Sequence, residues 1–316
     1  MPFVDEFKKQ LFQINESNFE ACSLAVFDYQ FNQCQLYNQY CNSLGKNPKN
    51  VKSVHQIPYL PIEFFKNHAI KSGKWETQKI FKSSGTTQAG RSQHHVADLA
   101  FYHEVSKTIF EEMFGPLYNL NVFALLPSYL EQGDSSLISM VDHFINLSGH
   151  ASAYILDQNP QWPSPDNRCV VFGVTYALLD WSLNADLSNT VIIETGGMKG
   201  RRKEITRSEL HQELQKKLTP EAIWSEYGMT ELMSQAYGKN GDLIFPNWAK
   251  VLIREVNDPF CYLEEGRTGG INVIDLANVH TCSFIETKDL GVVRNDHFEV
   301  VGRFDNSEIR GCNLLV

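Results

Sequence analysis

The chain of 316 residues carries 37 acidic against 28 basic residues, a formal charge of -9, and 42% hydrophobic residues, enough to bury a core of enzyme size. The acidic balance argues against nucleic acid as a partner, because the densest basic cluster, Lys199 to Lys203, is too short to form a basic face. No run approaches the roughly 18 apolar residues of a membrane span, and Met1-Pro2-Phe3-Val4-Asp5-Glu6 lacks a charged-then-apolar leader, so the expectation is a cytoplasmic protein.

Apolar residues at helical spacing run from 17 to 44 and stop at Gly45, and Ile57-Pro58-Tyr59-Leu60-Pro61 breaks regularity. Residues 81 to 92, Phe-Lys-Ser-Ser-Gly-Thr-Thr-Gln-Ala-Gly-Arg-Ser, then hold almost nothing that builds a core. A loop that closes its backbone amides around phosphate oxygens needs such small residues and glycines. Ser83, Ser84, Thr86 and Thr87 add hydroxyl donors, and Lys82 and Arg91 bracket them with positive charge, so a nucleoside triphosphate is the natural ligand. The plainer reading is a solvated Ser/Thr/Gly loop.

Gly85-x4-Gly90-Arg91-Ser92 also imitates a mononucleotide-binding P-loop, but that motif needs a buried strand before it and a helix directly after it. Trp75 to Ile80 is too polar for a central parallel strand, and the next helical pattern begins only at Asp98, a good N-cap.

Helix 98 to 114 leads to strand 121 to 126, helix 135 to 147, strands 153 to 156 and 169 to 174, helix 176 to 184, strand 190 to 194 and helix 206 to 218. This alternation predicts an α/β fold with mixed, mainly parallel sheets covered by helices. From about residue 240 short strands follow with turn residues between them: 243 to 245, 250 to 256, 270 to 275, 283 to 286, 291 to 294 and 298 to 302. The expected domains are therefore 1-240, a helical N-terminus and α/β core, and 241-316, a smaller β-rich subdomain. Seven cysteines, odd in number and without CxxC spacing, fit reduced thiols, each by default a small buried hydrophobe.

Trp224-Ser225-Glu226-Tyr227-Gly228-Met229-Thr230-Glu231 follows a helix and a short turn, where the carboxyl end of a sheet strand would deliver it into a crevice. An aromatic, a glycine, a hydroxyl and a carboxylate suit a purine face, a phosphate and Mg²⁺ in turn. Equally, Tyr-Gly could be a turn and Thr230 a helix N-cap.

Taken in order, Ser83-Ser84-Gly85-Thr86-Thr87, Tyr227-Gly228-Met229-Thr230-Glu231, Thr287-Lys288-Asp289-Leu290-Gly291 and Gly302-Arg303-Phe304-Asp305 resemble the motifs of the acyl-adenylate-forming (ANL) superfamily. Within it the chain is most similar to the acyl-protein synthetases of bacterial bioluminescence, near the phenylacetate-CoA ligase branch. That narrower likeness rests on Gly90-Arg91-Ser92-Gln93-His94, Glu194 to Lys199 and Arg310-Gly311-Cys312. The resemblance implies the large N-terminal domain of that superfamily and ATP-dependent activation of a carboxylic, in particular a fatty or aryl, acid.

In that reading Ser83, Ser84, Gly85, Thr86 and Thr87 hold the β- and γ-phosphates, Thr230 contacts the α-phosphate, and Glu231 is the metal ligand for Mg²⁺. Tyr227 lies on the adenine with Gly196 and Gly197 lining its other side, and Asp289 takes the ribose hydroxyls with Arg303 nearby. On residue chemistry alone, Asp289-Leu290-Gly291 reads as a simple turn.

Superfamily ligases continue past the Gly-Arg-x-Asp hinge into a mobile C-terminal domain that carries an adenylation lysine, whereas here 11 residues follow Asp305. The expectation is a chain without that domain, in which the lysine is replaced from elsewhere, with Lys82, Lys199 and Arg91 as candidates, is supplied by another subunit, or is not needed because the first half-reaction differs. Cys312 sits where a bioluminescence synthetase accepts the acyl group, and Arg310 beside it would favour the thiolate; packing of Cys312 with Leu314, Leu315 and Val316 is the plainer alternative. The acceptor is this cysteine, a carrier protein or coenzyme A (CoA), and the resemblance adds an acyl reductase as a partner. His94 and His95 are weak as metal ligands without a third, but either could serve as a helper base, and the acyl part is expected near helix 98 to 114, Phe123 and Tyr176. The alternative function is a non-adenylating acyltransferase or a relative that only binds a nucleotide or partner.

Overall fold

Residues 2–84, 90–127, 133–149, 151–155, 162–164, 166–183, 185–196 and 206–304 are described by the computed structural model. In chain order the elements begin with α1 (Pro2–Gln10), α2 (Glu16–Gln33), α3 (Gln35–Ser43), β1 (Leu60–Pro61) and α4 (Phe64–Asn67). The middle of the chain forms β2 (Lys79–Lys82), β3 (Gln93–Val96), α5 (Leu99–Phe114), β4 (Asn121–Leu125), α6 (Ser136–Leu147), β5 (Ala153–Tyr154), β6 (Cys169–Val174) and α7 (Thr175–Asp180). It continues with β7 (Thr190–Thr195), α8 (Arg207–Leu218), β8 (Ala222–Tyr227), β9 (Ala236–Lys239) and β10 (Asp242–Ile244), and the chain closes with β11 (Ala249–Arg254), β12 (Gly269–Asp275), β13 (Phe284–Arg294) and β14 (His297–Arg303).

These elements divide into two units, Thr77–Phe245 and Met1–Glu76 with Pro246–Val316. In the middle unit the strand order is β5-β4-β6-β7-β8-β9-β10, with β5 through β8 parallel and β9 and β10 antiparallel. β6 (Cys-Val-Val-Phe-Gly-Val) and β7 (Thr-Val-Ile-Ile-Glu-Thr) are buried at every position, as apolar parallel strands covered on both faces must be. Asp98 caps α5 by accepting from the Phe101 amide at 3.0 Å, and α5 packs on α6 through Phe110 and Phe144, whose centroids lie 4.8 Å apart. On the same pair of helices the imidazoles of His103 and His143 stack at 4.3 Å.

The other unit pairs β11-β12-β13-β14 antiparallel, with β1 joining β13 in parallel register. Its N-terminal residues group with the C-terminal strands rather than with the α/β core, where the sequence pattern put them. Buried Gln30 on α2 is one reason, since its amide donates to the Asn278 carbonyl at 3.0 Å and accepts from the Ser283 amide at 2.9 Å. Tyr37 on α3 stacks on Phe284, and Ser72 donates to the Thr281 carbonyl at 2.5 Å. Contacts more than 200 residues apart in sequence leave no mark on local periodicity. Arg254, also buried here, donates to the carbonyls of Ile271 at 3.1 Å and Thr287 at 2.9 Å, and its guanidinium lies over Gly270, where a Cβ would stand 2.2 Å from it.

Most predicted elements form with shifted ends; α1, β1 and α4 are additional, and other details differ. The helix expected over 17 to 44 is two helices, because Cys34 is extended (φ -107°, ψ 105°). Strands expected at 283 to 286 and 291 to 294 are one strand, so Asp289-Leu290-Gly291 is not a turn. The pair β2–β3 was not anticipated, because its polar residues conceal the alternation, nor was β9, four residues (Ala-Tyr-Gly-Lys) too short to show one. The helix expected to 184 ends at Asp180. All six described cysteines are free thiols; Cys34, Cys41, Cys169 and Cys282 are buried, and burial pushes Cys41 up to about 12 and Cys169 up to about 11. No described helix is long and apolar enough to cross a membrane.

Burial, then the neighbouring His143, pushes His103 down to about 4. The unfolded imidazole titrates near 6.5, so below that pH the unfolded state binds the extra proton and stability falls as pH drops towards 4. His103→Gln should flatten this acid branch, with a relative gain of about 1 kcal/mol at pH 4 for this half-exposed group, measured by urea denaturation across pH 4 to 7.

Candidate functional site

Ser83 and Ser84 leave β2 and Gly90 to Ser92 enter β3, at the turn end of an antiparallel hairpin. β2 and β3 pair Phe81 with His94 and Lys82 with Gln93, and Phe81, His94 and Val96 turn inward, Phe81 packing on Tyr102 of α5 at 5.0 Å. Beyond the last strand pair, the Ser83 amide donates to the Ser92 carbonyl at 3.1 Å and the Ser92 amide donates to Ser83 Oγ at 3.0 Å. This hairpin is not the strand-to-helix frame of a P-loop, as the sequence pattern indicated. Ser83 is half-buried and Ser84 exposed; Gly85, Thr86 and Thr87 lie outside the described residues.

The two cations that bracket the loop are held by one acid. Arg91 forks onto the Asp134 carboxylate at 3.0 and 3.2 Å and donates to the Ser83 and Lys82 carbonyls, while Lys82 Nζ lies 3.3 Å from the same carboxylate. Burial would raise Asp134, but the hydrogen bonds and charges of Arg91 and Lys82 hold it below the ordinary carboxylate range. Lys82 and Arg91 are therefore engaged in closing the hairpin, which weakens both as substitutes for an adenylation lysine; Lys199 lies outside the described residues.

The second cluster forms at the carboxyl ends of β7 and β8, whose parallel register places Glu194 beside Ser225 and Thr195 beside Glu226. Glu194 is 2% exposed; its Oε1 accepts from Ser225 Oγ at 2.7 Å and faces Arg207 Nε at 3.3 Å, with His211 Nε2 at 3.9 Å, while Oε2 accepts from Thr175 Oγ1 at 3.2 Å. Burial opposes its charge, yet His211, Arg207 and Ser225 hold it ionised below the usual range. Thr175 Oγ1 also lies 3.0 Å from the Gly196 carbonyl, so this network fixes the turn that leaves β7, where Gly196 has φ +72°. Gly197 lies outside the described residues.

Alternation sends Glu226 to the opposite face, where burial pushes it up to about 7, Glu194 adds to the rise, and the Thr195 hydroxyl and the Arg207 charge oppose it. Tyr227 closes β8, buried and edge-on to Phe245 at 6.1 Å. Thr230 and Glu231 follow, Glu231 4% exposed, and the Thr230 carbonyl accepts from Nδ1 of buried His94 at 2.8 Å. His94 thus joins two segments 136 residues apart, a structural role that its sequence neighbourhood did not show. No group of three or more His, Cys, Asp or Glu that could hold a metal gathers among the described residues.

In the other unit, β13 and β14 place Asp289 opposite Arg303, with Oδ1 and Nε 3.8 Å apart and the Arg303 side chain 70% exposed. The Asp289 amide donates to Thr287 Oγ1 at 3.1 Å. Cys312 lies outside the described residues.

Solved structures share this architecture. A 2-hydroxyisobutyryl-CoA ligase bound to its acyl-AMP in the postadenylation state aligns over 92% of this chain and 68% of its own, with TM-score 0.64 and 12% identity. The fold is that of the ANL large domain. ATP-bound MatB from Rhodopseudomonas palustris aligns over 73% of this chain and 49% of its own (TM-score 0.52, 19% identity), and AMP-bound O-succinylbenzoate coenzyme A synthetase (MenE) from Bacillus subtilis over 72% and 50% (TM-score 0.50, 18% identity). The aligned part of the chain thus spans about half the length of MatB. No protein-family model and no curated protein matches the sequence.

The Asp134 clamp has a testable acid limit. Asp134→Asn should cost about 1 kcal/mol at pH 7, the scale of partly exposed ion pairs. Because the folded carboxyl titrates below its unfolded value, the difference should persist down to about pH 4 and close as pH falls further, as followed by thermal denaturation.

Proposed function

We propose that the chain activates a carboxylic acid with ATP as an acyl-adenylate and then delivers the acyl group to a thiol. The observation that carries this is the bond from His94 to the Thr230 carbonyl, which joins the hairpin bearing the Ser/Thr loop to the segment that follows the carboxyl end of β8. Ligands of the neighbours support it, since their structures hold ATP, AMP, an acyl-AMP and CoA.

In this reading Ser83, Ser84, Gly85, Thr86 and Thr87 hold the β- and γ-phosphates, Tyr227 and the Gly196-Gly197 turn enclose the adenine, Thr230 meets the α-phosphate, and Asp289 and Arg303 serve the ribose. A carboxylate oxygen of the acid attacks the α-phosphorus, an acyl O–P bond forms, the bond to the β-phosphate oxygen breaks, and pyrophosphate leaves. A thiolate then attacks the acyl carbon and AMP departs. Glu231 fits Mg²⁺ as a single buried carboxylate, because that ion keeps its waters and shares phosphate oxygens instead of needing a protein cage; it would neutralise phosphate charge.

The acid is a fatty or aryl acid, its acyl part near buried Phe123 and Tyr176, and the acceptor is Cys312, a carrier protein or CoA. The likeness to bioluminescence acyl-protein synthetases supports Cys312, an acyl reductase as next partner, and a cytoplasmic setting.

Pyrophosphate exchange into ATP, run with a panel of fatty and aromatic acids, should appear with at least one acid and fall by about two orders of magnitude in Glu231→Gln, as expected for a lost electrostatic contact. Absence of exchange with every acid, with Glu231→Gln unchanged, overturns the adenylation reading in favour of a non-adenylating acyltransferase or binding protein. If Cys312 is the acceptor, hydroxylamine-sensitive labelling by the radioactive acid disappears in Cys312→Ser while exchange continues.

A further inference from the structure

Glu226 is a buried acid that the chemistry above leaves without a task. Its Oε2 accepts the Thr195 hydroxyl at 2.5 Å. Its Oε1 lies 2.4 Å from where a Cβ on Gly228 would stand, so the carboxyl fills the space that glycine leaves at the start of the turn to Thr230 and Glu231. Each element around it presents a different kind of group. β7 brings Thr195 and the ionised Glu194, α8 brings Arg207 behind Glu194, α5 brings Tyr102, and β9 brings Tyr237 in register with Glu226.

The two tyrosine hydroxyls point elsewhere, Tyr102 to the Ser136 carbonyl at 3.0 Å and Tyr237 to the Met140 sulfur at 4.0 Å. Arg207 is committed to Glu194 at 3.3 Å. Thr195 can donate one hydrogen bond only, and Oε2 takes it, so a charge on Glu226 would be balanced by a single hydroxyl and the Arg207 charge already committed to Glu194, beside a second carboxylate.

We propose that Glu226 is a positioning residue: its neutral carboxyl, with the proton on Oε1, fixes Gly228 and the turn to Glu231, and its ionisation loosens that turn and weakens nucleotide binding. The final clause rests on the nucleotide reading above; the effect on the turn does not.

Two measurements separate them. Hydrogen exchange of the peptide spanning 227–231, expressed as protection factors, should show protection falling several-fold from pH 6 to 8.5 in the wild type and staying level in Glu226→Gln, which keeps the shape and cannot ionise. Titration with ATP and Mg²⁺ should give equal affinities for the two proteins at pH 6 and an affinity about five-fold weaker for the wild type at pH 8.5. Thr195→Val removes the one bond that favours the charged form and should move the wild-type step to higher pH, whereas a merely structural Glu226 would leave the pH of any step in place.

Identical protection profiles in wild type and Glu226→Gln overturn the inference, whatever ATP does. If protection steps with pH in the wild type alone while neither protein binds ATP at any pH, the positioning role stands and the nucleotide reading fails. If both proteins bind ATP with the same pH dependence, the coupling to nucleotide is overturned.

Discussion

A carboxylate with almost no access to water must find all its partners inside the protein, and Glu194 does so at the end of the most buried strand pair in the middle unit. A guanidinium, two hydroxyls and an imidazole converge on it from α8, β8 and the residue that follows β6. An isolated charge at such depth would cost several kcal/mol, so the ends of β6, β7 and β8 hold their positions or lose the charge. The Gly196 turn leaves β7 in a left-handed conformation because Thr175 contacts both the carboxylate and the turn.

The neighbouring acid meets the opposite condition. Strand alternation puts Glu226 on the face away from Arg207's main partner, where a single hydroxyl reaches it, so two carboxylates on adjacent strands are pushed in opposite directions, Glu194 down and Glu226 up to about 7. The hairpin across from them solves its own charge problem with Asp134, which absorbs Lys82 and Arg91.

The α/β frame was legible because its signals are local: uninterrupted apolar runs for β6 and β7, an Asp98 cap for α5, and the helix and turn that precede β8. The order of Ser/Thr loop, Tyr227–Glu231 and Asp289 carried the family resemblance on which their proposed roles rest. The β2–β3 hairpin was hidden because Lys79, Lys82, Gln93 and His95 dilute its alternation, although Phe81, His94 and Val96 mark one face in retrospect. Glu194, Glu226, Arg207 and His211 were invisible as a group, since strand register and helix placement, not spacing, assemble them. Asp289 looked like a turn because Asp-Leu-Gly is common there; β12 and β14 on either side keep it extended. The partnership of α2 with Asn278 and Ser283 depends on contacts that no window of sequence contains.

That partnership also orders events during synthesis. Phe27, Tyr37 and Gln30 are made about 250 residues before Phe284, Asn278 and Ser283, against which they are buried. The intervening unit, 77–245, contains its own strand partners and can condense while the leading helices wait with apolar faces open. Helices α2 and α3 are thus finished only after the unit that follows them in sequence, and their apolar faces stay open in the meantime.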